Sequence, residues 1–322
     1  MKAATYTRYG PPDVVQIADV EKPTPKDNEV LLKVCAASVN PYDWHFLRGT
    51  PYFVRISTGL GKPKNTQFGA DVAGVVETVG PRVARIKPGD AVFGLGRGTF
   101  AEYACAPESS LAAKPGTITF EQAAAVPIAA LTALQGLRAG GGIQPGQRVL
   151  INGAAGGVGA FAVQIAKSFG AEVTGVCSAR NLDPVRSIGA DRAIDYTREN
   201  FTKGSLRYDR ILDAVGNHSL LASRRALNPN GVCIIVGALS GRWMLGALAR
   251  GFAAPLLSRF VSQTLAMVMT KSTPEDLALL HDLMKSGKLT PVIDRRYNLA
   301  ELPEAIRYLE AGHARGKVVI TL

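Results

Sequence analysis

Arg148-Val149-Leu150-Ile151-Asn152-Gly153-Ala154-Ala155-Gly156-Gly157-Val158-Gly159 reads as a short apolar strand running through a glycine-rich turn into a helix. Beyond the turn, Val158, Phe161, Ala162, Ile165 and Phe169 share one face of a helix over 157–169. Strand, tight turn and helix are the context that gives a G-x-G-x-x-G pattern its physical meaning. Backbone N–H groups and the helix N-terminus then approach a pyrophosphate. Ala154 stands in the first glycine slot, while Gly156 and Gly159 fill the other two. The plain alternative is a glycine-rich turn that serves helix–strand packing alone.

Downstream, strands and helices alternate. Strands fall at Glu172–Cys177, Arg192–Asp195, 210–215 and 231–237, with helices near 184–188 and over 220–227. This spacing predicts a doubly wound parallel sheet in an α/β protein. Upstream the character differs. Short β-type runs at 14–20, 30–39, 72–79, Ala91–Leu95 and 100–106 are separated by Gly/Pro turns such as Lys87-Pro88-Gly89-Asp90. That half is a β-rich domain. Helices at 274–286 and 302–311 and a closing strand at 317–322 form a tail expected to return to it. The expected domains are 1–124 with 272–322, and 125–271. The run 265–270 reads as a last, apolar sheet-edge strand, which predicts a homodimer paired along that edge.

The end of the second strand bears on the dinucleotide. A site for NAD places an acid there, on the ribose 2′-OH. This chain has Val176-Cys177-Ser178-Ala179-Arg180, with no acid. Ser178 supplies a hydrogen bond and Arg180 a partner for a 2′-phosphate, so the pattern favours NADPH. The alternative for Arg180 is a solvated charge at a helix start.

Composition narrows the classes. Of 322 residues, 47% are hydrophobic and 20% charged, a globular balance that excludes disorder as the main state. The net charge of +11 is scattered, with no basic run and no aromatic-basic stripe, which argues against nucleic acid. The N-terminus lacks the apolar core of a signal peptide, and no apolar run reaches 18 residues. Cys35, Cys105, Cys177 and Cys233 lie far apart in apolar runs and read as buried small hydrophobes. A reducing, cytoplasmic compartment fits them.

Several stretches, taken in order, resemble one family. They are Ala36-Ala37-Ser38-Val39-Asn40-Pro41-Tyr42-Asp43, Gly69-Ala70-Asp71-Val72-Ala73-Gly74, Lys87-Pro88-Gly89-Asp90-Ala91-Val92 and Ala129-Ala130-Leu131-Thr132-Ala133. The 153–159 turn, Gly189-Ala190-Asp191, Ile194-Asp195-Tyr196, Leu212-Asp213-Ala214-Val215-Gly216 and His313-Ala314-Arg315-Gly316-Lys317-Val318-Val319 follow. The chain resembles zinc-independent medium-chain dehydrogenases/reductases of the quinone oxidoreductase (zeta-crystallin-like) family. The tail and the apolar segment after Gly237 are similar to the branch of organelle quinone oxidoreductase homologues and reticulon-interacting proteins.

The resemblance implies a GroES-like β-rich catalytic domain, a Rossmann domain and an active site in the cleft between them. It places Asn40 and Thr132 near the nicotinamide, and Ala155, Gly156, Gly157, Val158 and Gly159 at the pyrophosphate. Ser178, Arg180 and Tyr196 surround the 2′-phosphate. Val215, Gly216 and Gly237 contribute at later strand ends, and His313, Ala314 and Arg315 close over the cofactor. Each of these has a structural alternative, such as a helix hydroxyl bonded to its own backbone for Thr132.

Zinc members of the superfamily carry Cys where Asn40 stands and Gly-His-Glu where Gly69-Ala70-Asp71 stands, so no metal is expected here. Hydride transfer to an activated acceptor remains feasible without a Lewis acid. The expected reaction is NADPH-dependent reduction of a small apolar quinone or an α,β-unsaturated carbonyl. Asn40, Tyr42 and Tyr52 are the candidate catalytic residues, the two tyrosines being either proton donors or an aromatic wall. The alternatives are reduction of an enoyl thioester or a lipid-derived enone, and a cofactor-binding interaction protein with little turnover. Segment 242–261, which holds Trp243 and Phe252 with three arginines and no acid, reads as the wall of an apolar acceptor pocket. Peripheral membrane contact is its second reading.

Overall fold

A computed structural model describes residues 1–236 and 261–322. Gly237, Trp243 and Phe252, with nearly all of the 242–261 segment, lie outside the described residues. In chain order the strands are β1 (Lys2–Thr5), β2 (Gln16–Asp19), β3 (Glu29–Val39), β4 (Asp71–Val79), β5 (Ala91–Leu95), β6 (Tyr103–Pro107), β7 (Leu111–Ala113) and β8 (Arg148–Asn152). They continue as β9 (Glu172–Cys177), β10 (Arg192–Asp195), β11 (Tyr208–Asp213), β12 (Leu227–Ile235), β13 (Thr264–Met267), β14 (Ile293–Asn298) and β15 (Lys317–Thr321). The helices are α1 (Pro41–Arg48), α2 (Val54–Thr58), α3 (Phe120–Ala124), α4 (Pro127–Arg138), α5 (Gly157–Ser168), α6 (Leu182–Ser187), α7 (Leu220–Arg225), α8 (Pro274–Lys285) and α9 (Leu302–Glu310). The chain forms two compact units, Met1–Leu131 with Lys271–Leu322, and Thr132–Thr270. The α/β class and the pairing of a β-rich unit with a doubly wound one agree with the sequence.

In the first unit a seven-stranded sheet runs β14-β15-β3-β4-β5-β7, with β6 on β3. Strand β3 is its spine. Val30, Leu32 and Val34 alternate into a core with Val72, Val76, Val92 and Leu111, the period-2 pattern of a half-buried strand. Register shifts between Leu31/Leu32 and Val34/Ala36 re-aim the strand, and its second half pairs Val39 with Val318 of β15. Leu302, Ala305 and Ile306 of α9 lie at i, i+3 and i+4 and pack with Ala37, Val39, Val318 and Ile320. Residues 41–48, to which the sequence reading assigned no helix, form α1. Pro41 opens it, the Asp43 carboxylate accepts the Asn40 backbone N–H at 2.7 Å, and Gly49 closes it at φ +58°.

The second unit is a parallel sheet in the order β10-β9-β8-β11-β12-β13. After β8 the chain adds β9 and β10 on one side, then crosses to β11 on the other. The direction of winding therefore reverses between β8 and β11. Ligands of open α/β sheets sit at this switch point, beyond the strand C-termini. Strand β12 starts at Leu227, where the sequence suggested helix. Asn230 takes φ +63° there, and the shift lets Leu227 pair with Tyr208 before Val232 resumes beside Arg210.

Candidate active site

The turn after β8 is built for close approach. Gly153 adopts φ +89°, the left-handed region that favours glycine. Val215 packs over it, and a Cβ on Gly153 would meet Val215 Cγ2 at 2.7 Å. The backbone N–H groups of Gly153 and Ala154 both donate to the Val176 carbonyl, at 3.1 and 3.0 Å. Ala154 fits the first glycine slot because the unusual conformation falls one residue earlier, and because Gly175 opposite it has no side chain. Gly156 caps α5 without a side-chain acceptor, and the first intrahelical donor is Ala160. The N–H groups of Gly157, Val158 and Gly159 thus point out of the helix start at partial positive charge, with no acid in the first turn. Such a helix start can accept an anion, and its residues fit the pyrophosphate of a dinucleotide.

The switch point is fixed by buried polar groups. Asn152, at the end of β8, donates to Asp213 Oδ1 at 2.8 Å and to Asn217 Oδ1 at 2.9 Å. The same Asp213 oxygen accepts the Val215 and Gly216 N–H groups at 3.1 and 2.8 Å. Val215 and Gly216 are thereby held beside the Gly153 turn. One strand over, the backbone N–H of Tyr196 donates to the Cys177 carbonyl at 3.1 Å across the ends of β9 and β10, and Tyr196 is exposed. The Ser178 hydroxyl accepts from Asn181 at 3.0 Å. Arg180 is exposed and makes no ion pair among the described residues. On α4, the Thr132 hydroxyl lies 2.7 Å from that of Thr270.

A cavity of about 280 Å³ in this unit lies at the opposite ends of β11 and β12, between Gly140, Gln144, Asp209 and Asn230. Its Arg210 donates to the Ala139 and Gly140 carbonyls at 2.5 and 2.9 Å, capping the C-terminus of α4. That cavity is separate from the turn.

The first unit holds a buried polar cluster. Register places Ser38 of β3 beside Asp71 of β4 on one side and Val319 of β15 on the other. The Asp71 Oδ2 accepts from Ser38 Oγ at 2.6 Å, Asn40 Nδ2 at 2.8 Å and Lys317 Nζ at 3.2 Å. Its Oδ1 accepts the Ile128 N–H at 2.9 Å, at the N-terminus of α4, where a carboxylate is favoured. Asn40 Oδ1 accepts from Lys317 Nζ at 2.5 Å. Ser38, Asn40, Asp43, Asp71 and Lys317 are all buried. Burial pushes the Asp43 carboxyl up to about 8, with the Asp71 charge adding to the effect. Burial thus favours the neutral form of Asp43, while Lys317 and Asp71 form a buried ion pair at 3.2 Å.

Tyr42 and Tyr52 are exposed, as are Phe53, Ile56 and Leu60 further along the same stretch. Tyr42 stacks on Phe46 with ring centroids 4.1 Å apart, and burial raises its phenol above the ordinary range, which keeps the proton on. Arg55 lies over the rings of Tyr9 and Tyr52. His45 Nδ1 is 2.8 Å from the Thr50 carbonyl, and burial lowers its pKa. His313 and Arg315 are exposed, and Ala314 packs on the core under α9. The Arg315 N–H donates to Asp294 at 2.8 Å and its guanidinium pairs with the same carboxylate, which also accepts from Tyr308. Sequence reasoning did not single out Ser38, Asp71 or Lys317. The signal was present: Asp71 and Lys317 each open a strand with an apolar run, Val72-Ala73-Gly74-Val75-Val76 and Val318-Val319-Ile320, and buried charges need partners.

Residues 26–116 match the family described as the alcohol dehydrogenase GroES-like domain, and residues 188–320 that described as zinc-binding dehydrogenase. The chain is 37% identical to the 2-methylene-furan-3-one reductase of Solanum lycopersicum, covering 99% of this chain and 79% of the relative. It is 35% identical to the chloroplastic NADPH-dependent alkenal/one oxidoreductase of Arabidopsis thaliana, with the same coverage of 99% and 79%. The solved structure of the quinone oxidoreductase from Coxiella burnetii superimposes with a TM-score of 0.88 at 30% identity, covering 100% of this chain and 99% of that one.

The second family description raises the question of zinc. A catalytic zinc takes three protein ligands from Cys, His or a carboxylate. Among the described residues no group of three or more His, Cys, Asp or Glu is placed to hold a metal ion. At the position of the expected thiolate stands Asn40, whose amide oxygen is taken by an ammonium. These residues do not fit a catalytic zinc.

Proposed function

We propose the function of this chain from one premise: it belongs to the quinone oxidoreductase family of the medium-chain dehydrogenase/reductase superfamily. It is an NADPH-dependent enzyme that reduces a quinone or an α,β-unsaturated ketone. The observation that carries the reading is the end of β9, where Ser178 offers a hydroxyl and Arg180 an exposed guanidinium with no ion pair among the described residues, in the same unit as a helix start whose first N–H groups have no intrahelical partner. A guanidinium and a hydroxyl suit a 2′-phosphate, and the run from Cys177 to Arg180 lacks the acid that an NAD site places on the ribose 2′-OH. The names of the relatives support both halves of the reading, the cofactor and the conjugated carbonyl acceptor.

When bound, NADPH supplies a hydride from nicotinamide C4. In an enone the hydride adds to the β-carbon and a proton adds to the α-carbon, giving NADP⁺ and the saturated ketone. In a quinone the hydride and one proton give the hydroquinone. The chain's part is to bind, orient and exclude water. Gly157, Val158 and Gly159 hold the pyrophosphate, and Val215 and Gly216 shape the turn above it. Thr132, whose hydroxyl lies 2.7 Å from that of Thr270, would lie near the nicotinamide. Tyr42 keeps its phenolic proton and is our candidate donor, while Tyr52 with Phe53 and Ile56 offers apolar surface to an apolar acceptor.

By the same reading the enzyme is metal-independent, homodimeric and cytoplasmic. The donor set around Asn40 supports the first, strand β13 at the sheet edge among the described residues the second, and four cysteines in no disulfide the third. Among the described residues no helix is long and apolar enough to cross a membrane. The test is consumption of NADPH and of NADH by the purified protein against a quinone panel and an enone panel. Turnover with NADPH in either panel supports the reading, and none in both refutes it.

A further inference from the structure

Lys317 opens a strand whose next three residues, Val318, Val319 and Ile320, are fully buried. Charge pairing with Asp71 would suffice to hold it there. The ammonium nevertheless lies closer to Asn40, at 2.5 Å, than to Asp71, at 3.2 Å. Both amide hydrogens of Asn40 are also committed, one to Asp71 at 2.8 Å and one to the Ser38 carbonyl at 3.3 Å. The amide is therefore held on every side in one orientation. Turning it over would set its NH₂ against an ammonium and its oxygen against a carboxylate. Asn40 is also the residue from which α1 starts, and Tyr42, two residues on, presents a half-exposed ring. Buried ion pairs of this kind are weak evidence for stability, because apolar replacements of similar volume are often as stable. Their better-attested use is to specify one geometry.

We infer that Lys317 is a positioning residue for acceptor reduction, which fixes Asn40 and through it the start of α1 and the Tyr42 phenol. The inference rests on the reading of Tyr42 as donor and of the chain as a reductase. A rigid amide at the helix start sets the rotation of α1 about its axis, and hence where the ring at its second position points. Without the ammonium the Asn40 oxygen loses its donor, and the helix start is free to settle in other arrangements.

The experiment uses the full chain and begins with the wild type, scored with NADPH on the quinone and enone panels. Absence of turnover at this stage overturns the functional reading, and Lys317 with it. With turnover in hand, the charge-neutral double variant Lys317→Met/Asp71→Asn is compared for melting temperature, NADPH Kd by nicotinamide fluorescence, acceptor KM and kcat. The expected result is a folded protein with NADPH Kd within about twofold of wild type and kcat lowered about tenfold or more, the scale seen for groups that orient a catalytic group. Adding Tyr42→Phe to that variant is expected to cost little more, because both changes disable one device. A folded double variant with wild-type kcat overturns the inference while leaving the function standing. Should the double variant not fold, Lys317→Arg, which keeps the charge beside Asp71 and displaces the donor to Asn40, takes its place: a wild-type kcat in folded Lys317→Arg or in Tyr42→Phe overturns the inference, and a loss of about tenfold in Lys317→Arg at unchanged NADPH Kd, not deepened by adding Tyr42→Phe, upholds it.

Discussion

The carbonyl oxygen of Gly153 occupies the place that a Cβ on Gly159 would need, only 2.0 Å from it. The helix start of α5 therefore lies directly against the turn, and the neighbour in the way is backbone, which cannot swing aside. Gly159→Ala is expected to destabilise the second unit by about 1–3 kcal/mol, the ordinary cost of overpacking. It should also weaken NADPH by about tenfold or more, since the turn has to open. Thermal melting and nicotinamide fluorescence check both, and an unchanged Kd would speak against the turn as the pyrophosphate cradle.

Arg180 follows Ser178 at the end of β9, and it is exposed with no ion pair among the described residues. A charge-assisted contact to a phosphate is worth about 1.5–3 kcal/mol. Arg180→Ala should thus raise the Kd for NADPH by about 10- to 150-fold and leave that for NADH nearly unchanged. Equal losses for the two cofactors would show that Arg180 does not read the 2′-phosphate.

The doubly wound half was legible because its strands are short runs of consecutive apolar residues with glycine at the turns, as parallel strands buried on both faces must be. Val149, Leu150 and Ile151 of β8 and Val173 and Val176 of β9 are all buried. The β-rich half was less legible. Strand β14, Ile-Asp-Arg-Arg-Tyr-Asn, has a charged sequence and, among the described residues, pairs with β15 alone, so its strand character comes from its neighbour. Helix α1 escaped notice although Pro41, Asp43 and Gly49 are ordinary start and stop signals, since eight residues with two charges show little apolar period. The Lys317–Asn40–Asp71 contact joins residues up to 277 positions apart. Sequence announces that each charge needs a partner and leaves open which one.

The zinc question has a direct check. With the Asn40 amide oxygen accepting a hydrogen bond from Lys317 and, among the described residues, no group of three or more His, Cys, Asp or Glu placed to hold a metal, a chelator should leave NADPH oxidation intact, and the purified protein should contain no stoichiometric zinc. Activity lost to chelation and restored by zinc would overturn metal independence.

Strand β13 ends the six-stranded sheet and pairs on one side with β12, with no second partner among the described residues. Met267 and Met269 beside it are exposed. An apolar, uncharged edge invites pairing with a second copy. Light scattering at micromolar concentration should give twice the 34.0 kDa chain mass, and a monomer would count against the dimer.

Asp43 gives the molecule a pH-dependent stability whose sign can be worked out. Burial raises its folded-state pKa to about 8, against about 3.9 for an unfolded aspartate. Between those values the unfolded chain has released a proton that the folded chain still holds. The folded form therefore binds more protons, and stability falls as pH rises through this window. The contribution is complete below about pH 4, declines up to about pH 8 and is flat above it. Asp43→Asn keeps an oxygen for the Asn40 N–H and does not titrate. The variant should lose this part of the slope, so that its melting temperature gains on the wild type by several degrees between pH 5 and pH 8. Parallel melting curves for the two proteins across that range would show that Asp43 is ionised in the fold.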